Sequence, residues 1–405
     1  MDIIECFLNI SRSLDFTWNG LLHHHQRTSL IAAKIGKAIG LSDRGLLELF
    51  QAAAIHDLGL GSWKERSVLL SYEIENPWEH CWRGHSLVNG INSLNHLAKI
   101  INSHHDHWSG NNPSGLNKNS IPLASRIIHL ADRVDILTYK YVNTLENTDA
   151  ILNDIRRMKG KIFDPELVSI LEEISQKDSF WFDLVSPLGK ESLHQVLSFP
   201  HEHFGIDYLL DIARLFAQVV DTKSPFTFYH SKGVASIAKF LGQQLGMSSE
   251  VCIQLEIAGL LHDLGKMSVP MELIEKPGKL SEQEFRIMKQ HAYYTYWLLR
   301  PVTQLFPLAE WASFHHERLN GQGYPFGKTG DELDMEARLI AVSDVFVALK
   351  EKRPYRSSME WDQIARVMND MVSQEHLEGT AVAIVLDNRK KLDNILEDLE
   401  HLLAG

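Results

Sequence analysis

Apolar residues recur at three- and four-residue spacing along most of this chain, and sustained two-residue alternation is scarce. Segments 24–40, 43–58, 208–220, 231–245, 249–263, 282–299, 335–350 and 380–403 all carry this pattern, which gives a helix one apolar face. An all-α protein is therefore expected. Ser281-Glu282-Gln283-Glu284 reads as a capping box opening the helix that holds Met288 and His291. Gly, Asn and Pro make 108–122 and 319–334 the longest irregular stretches, and 185–205 reads as a linker.

The pattern also occurs twice. A gap-free shift of 206 positions lays His24 on His230, His56-Asp57 on His262-Asp263, and His85 on His291. After a short deletion, His104-His105 falls on His315-His316 and Asp132 on Asp344. Repetition on this scale means two copies of one module. A length of 405 residues suits two domains better than one core. The boundary is placed near residue 200, giving domains 1–200 and 201–405.

Composition narrows the function. The net charge of −12 disfavours broad capture of polymeric nucleic acid or an anionic membrane. No apolar run approaches the ~20 residues needed to span a bilayer, so no membrane span is expected. Three scattered cysteines, Cys6, Cys81 and Cys252, fit a reducing cytoplasm better than a disulfide framework.

What repeats is metal-ligand chemistry. In the second copy, Leu255, Ala258 and Gly259 share a helical face with His262, which turns that imidazole inward. Asp344 lies between Ile340 and Val347 on an apolar face, where a carboxylate needs a partner. Imidazoles and carboxylates together suit Fe, Mn or Zn better than Mg. His23, His25, His80, His96, His107, His201 and His203 lack a counterpart in the repeat and are read as structural or solvated. Cys81 is read as a packing residue.

The strings HDLGK at 262–266, MKQH at 288–291, HHERLNGQGYP at 315–325 and SDVFVALKEKRPYR at 343–356 resemble the HD-GYP family, a bacterial branch of the HD phosphohydrolases. The resemblance covers roughly 205–405; the first half is similar more weakly, including FDPELV at 163–168. It implies two tandem HD-type helical domains, a degenerate and regulatory one followed by a catalytic HD-GYP domain. It further implies two divalent transition metals, iron ahead of manganese. His230, His262, Asp263 and Asp344 would hold one, and Asp263, His291, His315 and His316 the other. Family members with a third metal carry Glu four residues before the first histidine; Phe226 stands there, which points to two. The implied substrates are 3′,5′-cyclic dinucleotides, cyclic di-GMP or 3′,3′-cyclic GMP-AMP (3′,3′-cGAMP), opened to linear 5′-phosphorylated dinucleotides.

A phosphodiester is anionic and resists hydroxide, so two metals would neutralise it and lower the pKa of bridging water. Asp263 and Lys266 are the expected catalytic pair, with Lys266 adding charge at the phosphate. Arg318, Tyr324, Arg353 and Arg356 are expected to bind substrate, the arginines as forks on phosphate. Asn320, Val347 and Thr295 depart from the family, which usually has Asp, Asp and Gly there.

The first copy keeps His24, His56, Asp57, His85, His104, His105 and Asp132 as a possible second metal site. It loses the rest: Leu60 replaces the lysine, Asn112-Pro113-Ser114 the Gly-Tyr-Pro, and Tyr141 and Thr144 the arginines. Two other functions compete, a hydrolase of other nucleotides and a non-catalytic dinucleotide receptor. A complete C-terminal ligand set with Lys266 disfavours the receptor. A signalling-protein partner or a homodimer is compatible with the regulatory reading of the first domain.

Overall fold

In the computed structural model, which describes residues 2–16, 23–60, 77–141, 143–198, 204–222, 229–351 and 358–404, helical spacing becomes helix throughout. Among the described residues extended pairing is confined to two isolated bridges, Lys159–Phe163 and Asn320–Thr329. None of their helices is long and apolar enough to cross a membrane. The chain divides into two compact units, Asp2–His203 and Phe204–Gly405.

Each unit is built on six corresponding helices. In the first they are α1 (Ile3–Asp15), α2 (His24–Ala38), α3 (Asp43–Ala54), α4 (Trp78–Asn89), α5 (Ala98–Asn102) and α6 (Leu123–Lys140). In the second they are α7 (Ile206–Asp221), α8 (His230–Gln244), α9 (Ser249–Leu261), α10 (Glu282–Leu299), α11 (Phe306–Ser313) and α12 (Met335–Lys350). Capping residues set several starts. Asp2 accepts from the amides of Ile4 and Glu5, and Ser42 and Ser248 cap α3 and α9 alike. The predicted box at Ser281 and Glu284 forms in full, satisfying orphan amides of the first turn.

The core follows from the apolar faces. α2 packs on α3 and α6, and α8 on α9 and α12. Leu30, Ile31, Phe50 and Ile127 in one unit, and Ile237, Leu255, Ile340 and Phe346 in the other, are all fully buried. Each such side chain contributes roughly 1.5–3 kcal/mol. Pairs of helices so anchored form a rigid frame on which inward-facing polar groups can be held.

Of the expected linker at 185–205, residues 199–203 lie outside the described residues, and the part before them is structured. Its residues Gly189–Val196 form a helix that packs on α2 and buries Leu193. Glu5 on α1 fastens it by accepting from Lys190 (2.7 Å) and pairing with His194 (2.8 Å). Pro and Gly marked the helix boundaries there rather than a loose segment.

Candidate metal centres

In the second unit the expected ligands converge. His230 opens α8, His262 and Asp263 follow the end of α9, His291 lies in α10, His315 and His316 follow α11, and Asp344 lies in α12. Their ligating atoms form three overlapping groups: His230, His262 and Asp344; His262, Asp263 and His315; and His291, His315 and His316. Asp263 stands in the middle. Its Oδ2 lies 3.2 Å from Nε2 of His262 and 3.9 Å from that of His230, and its Oδ1 lies 3.6 Å from Nε2 of His291.

The rings are aimed from behind. Nδ1 of His262, His291 and His315 each meets the carbonyl three residues earlier, Gly259 (2.8 Å), Met288 (2.6 Å) and Ala312 (2.7 Å). Such bonds fix tautomer and orientation, leaving Nε2 toward the centre. Nε2 of His262 is fully buried without a hydrogen-bond partner. An orphaned buried nitrogen is costly, and a cation among imidazoles and carboxylates removes that cost. The donor set therefore fits first-row transition metals.

Burial alone would raise the Asp263 carboxyl, but His262 and Lys266 hold it well below the usual carboxylate range. Lys266, three residues on, pairs directly with its Oδ2. Tyr324 lies over His316, ring centroids 4.7 Å apart. Arg318 has its guanidinium 3.4 Å from Nε2 of His376. Arg353, Arg356 and Phe226 lie outside the described residues.

Sequence reasoning missed several supporting residues. Glu351 bonds Nδ1 of His230 at 3.0 Å, the arrangement by which a carboxylate orients a metal-binding histidine. In the first unit Asp135 does the same for His24 at 2.7 Å, itself held by Arg27 Nε at 2.5 Å. The counterparts of Arg27 and Asp135 are Gly233 and Val347, which pack together, a Cβ on Gly233 meeting Val347 at 3.0 Å. Val347 offers no carboxylate, and Glu351, one helical turn on, meets the His230 ring instead. Glu317 pins the Gly-Tyr-Pro loop by accepting from the amides of Phe326 (2.7 Å) and Lys328 (2.9 Å). Phe285 and Lys289 on α10 complete an aromatic-cation cluster with Tyr324, Lys289 Nζ lying 4.9 and 5.2 Å from the two rings.

The other two departures also hold the frame. Thr295 donates to His262 O at 3.0 Å and accepts from Gly265 N at 2.9 Å. Asn320 donates to Gln374 O at 2.8 Å, a bond an ionised Asp could not make.

The first unit requires a correction. His24, His56, Asp57, His104, His105 and Asp132 come together, but His85 does not. It is half-buried and its Nδ1 meets Ala98 O at 3.2 Å. His80 takes its place, Nε2 lying 3.2 Å from Asp57 Oδ1 and 3.1 Å from Nε2 of His104. Gly59 shows why: a Cβ there would collide with His80 O, as one on Gly265 would with His291 O. His80 therefore corresponds to His291, and the deletion precedes it instead of following His85. Cys81 is close as well, its Sγ 3.7 Å from Nε2 of His80.

The residues that stand in place of Lys266, the Gly-Tyr-Pro loop and the arginine pair are occupied locally. Leu60 is buried, Tyr141 donates to Asp154 at 2.9 Å, and Thr144 to Thr138 O at 3.3 Å. Asn112 closes its own loop on His107 and Leu116.

Comparison with known proteins follows this duplication. The profile of the HD domain family matches residues 11–167 and again 214–381. The 3'3'-cGAMP-specific phosphodiesterase 1 of Vibrio cholerae is 32% identical over 400 residues, covering 96% of this chain and 93% of that protein. A cyclic di-GMP phosphodiesterase response regulator of Xanthomonas campestris, RpfG, is 38% identical over 148 residues, 36% of this chain and 39% of its own. The crystal structure of a cyclic GMP-AMP specific phosphodiesterase of V. cholerae, V-cGAP3, superposes with a TM-score of 0.66 at 26% identity, over 99% of this chain and 98% of that one.

Proposed function

From a chain that belongs to the HD domain family, with tandem HD-type units and an HD-GYP second unit, we propose a phosphodiesterase that opens 3′,5′-cyclic dinucleotides to linear 5′-phosphorylated products. The observation that carries this is Asp263, central to the histidine cluster and paired with Lys266. We place 3′,3′-cGAMP ahead of cyclic di-GMP as substrate. The relative matching nearly the whole chain is named for the former, whereas the cyclic di-GMP relative matches about a third.

His230, His262, Asp263 and Asp344 would hold one metal, and Asp263, His291, His315 and His316 the other, with iron ahead of manganese. Bound there, a metal pair neutralises the diester and lowers the pKa of water. The chain's own groups do the rest. Lys266 presents a fixed charge to non-bridging phosphate oxygens or the leaving group. Arg318 and Tyr324 line the mouth for phosphate and base, Tyr324 held by its amide on His316 O at 3.1 Å. The first unit, without a counterpart of Lys266, is regulatory. Three unpaired buried thiols, Cys6, Cys81 and Cys252, support a reducing cytoplasm.

Iron-loaded protein, prepared anaerobically and incubated with a panel of cyclic dinucleotides, should yield linear 5′-phosphorylated dinucleotide, fastest from 3′,3′-cGAMP. No product from any of them would overturn the reading.

A further inference from the structure

The first unit holds buried nitrogen that the second does not. His25, next to His24, stands where the second unit has Ser231, and is fully buried. Its Nδ1 is held by Asp15 Oδ1 at 2.5 Å, while its Nε2 is buried without a hydrogen-bond partner. Its ring lies 5.2 Å from that of His24 and 5.1 Å from that of His56. These spacings match those between co-ligands in the second unit, 5.2 Å for His230–His262 and 4.9 Å for His262–His315. A carboxylate behind the ring and an idle, buried nitrogen in front is how a metal-binding imidazole is held.

Around it the remaining donors are also poised. Asp57 turns Oδ2 to His56 (3.5 Å) and Oδ1 to His80 (3.2 Å) and His104 (3.6 Å), so it can bridge as Asp263 does. Nδ1 of His56 and of His104 are tied to Ala53 O (2.8 Å) and Ile101 O (2.6 Å). Nε2 of His56 and of His105 are buried without hydrogen-bond partners. Arg133, whose counterpart is Val345, takes Asp132 Oδ2 at 2.7 Å, while Oδ1 still faces His24 at 3.5 Å. One carboxylate is thereby partly neutralised, and imidazoles outnumber carboxylates.

We propose that the first unit binds transition metal in its own right, at a nitrogen-rich centre in which His80, not His85, is a ligand and His25, held by Asp15, adds one more. The class of cation is a divalent first-row ion that favours imidazole, such as iron, cobalt or zinc, over magnesium. Without a counterpart of Lys266 the centre is structural or regulatory, and it stands whether or not the second unit hydrolyses cyclic dinucleotides.

The test uses the full chain with the second site disabled by His315→Ala and Asp263→Ala. Cobalt(II) is titrated in, and visible d–d bands and metal content are read, with circular dichroism as the fold control. Retained cobalt with imidazole-type bands is expected. Adding His80→Ala should remove most of it and His85→Ala should not. His25→Gln and Asp15→Asn should each weaken affinity, the latter by about 10-fold or more. No retained cobalt, or equal losses from His80→Ala and His85→Ala, would overturn the centre. Unchanged bands and affinity in both His25→Gln and Asp15→Asn would overturn the role of His25.

Discussion

Gly59 lies so close to the backbone of His80 that any side chain on it would collide with the His80 carbonyl, and Gly265 stands in the same relation to His291. The turn after each His-Asp pair is thereby seated on the helix that carries the next ligand. Gly265→Ala must push α10 away, and overpacking of this kind typically costs about 1–3 kcal/mol. A lower melting temperature and reduced metal content are expected together. Normal metal content in Gly265→Ala would show that the contact does not set His291.

Glu351 should act through His230. Glu351→Gln is expected to lower metal affinity by about 10- to 100-fold without unfolding the protein, read by competitive chelator titration. Val347→Asp in that background should restore part of the loss, because it returns a carboxylate to the place of Asp135. No effect of Glu351→Gln on affinity would leave the His230 contact incidental.

Lys266→Ala should keep the metals and slow turnover by about 100-fold or more, the usual cost of removing one donor from a preorganised oxyanion site. Metal analysis beside kcat separates the two effects. A rise in KM with kcat intact would make Lys266 a binding residue.

The clustering of the candidate ligands was legible in the sequence because they sit in short strings with fixed spacing. The error at His85 had a definite cause. His80 and His85 both follow Asp57 at plausible distances, and a gap-free shift selects the latter. The contact of Gly59 with His80, and the convergence of His80 on Asp57 and His104, decide. Glu351 was hidden because it serves from a different position than Asp135, so neither repeat nor motif marks it. Phe285, Lys289 and Glu317 act across the fold on the Gly-Tyr-Pro loop, where spacing carries no signal. The helix at Gly189–Val196 was obscured by flanking Pro and Gly, although Leu193 and Leu197 carry an i, i+4 apolar pair.

Acid should loosen the first unit at Glu5. Burial alone would raise its carboxyl, but His194 and Lys190 hold it down to about 2 from 4.5. A depressed carboxyl adds stability that is present above pH 4.5 and lost as pH falls toward 2. Glu5→Gln should cost about 1 kcal/mol near neutral pH, given its partial exposure. The difference in urea midpoint from the parent should shrink between pH 4.5 and 2. A constant difference across that window would contradict the ion-pair account.

The central claim is that hydrolysis belongs to the second unit and needs more than metal ligands. Initial rates of 3′,3′-cGAMP hydrolysis should be compared for full-length His56→Ala/Asp57→Ala and His262→Ala/Asp263→Ala, both iron-loaded. The account predicts largely intact turnover in the first and none in the second. Turnover surviving in His262→Ala/Asp263→Ala, and vanishing in His56→Ala/Asp57→Ala with its fold intact, would contradict it.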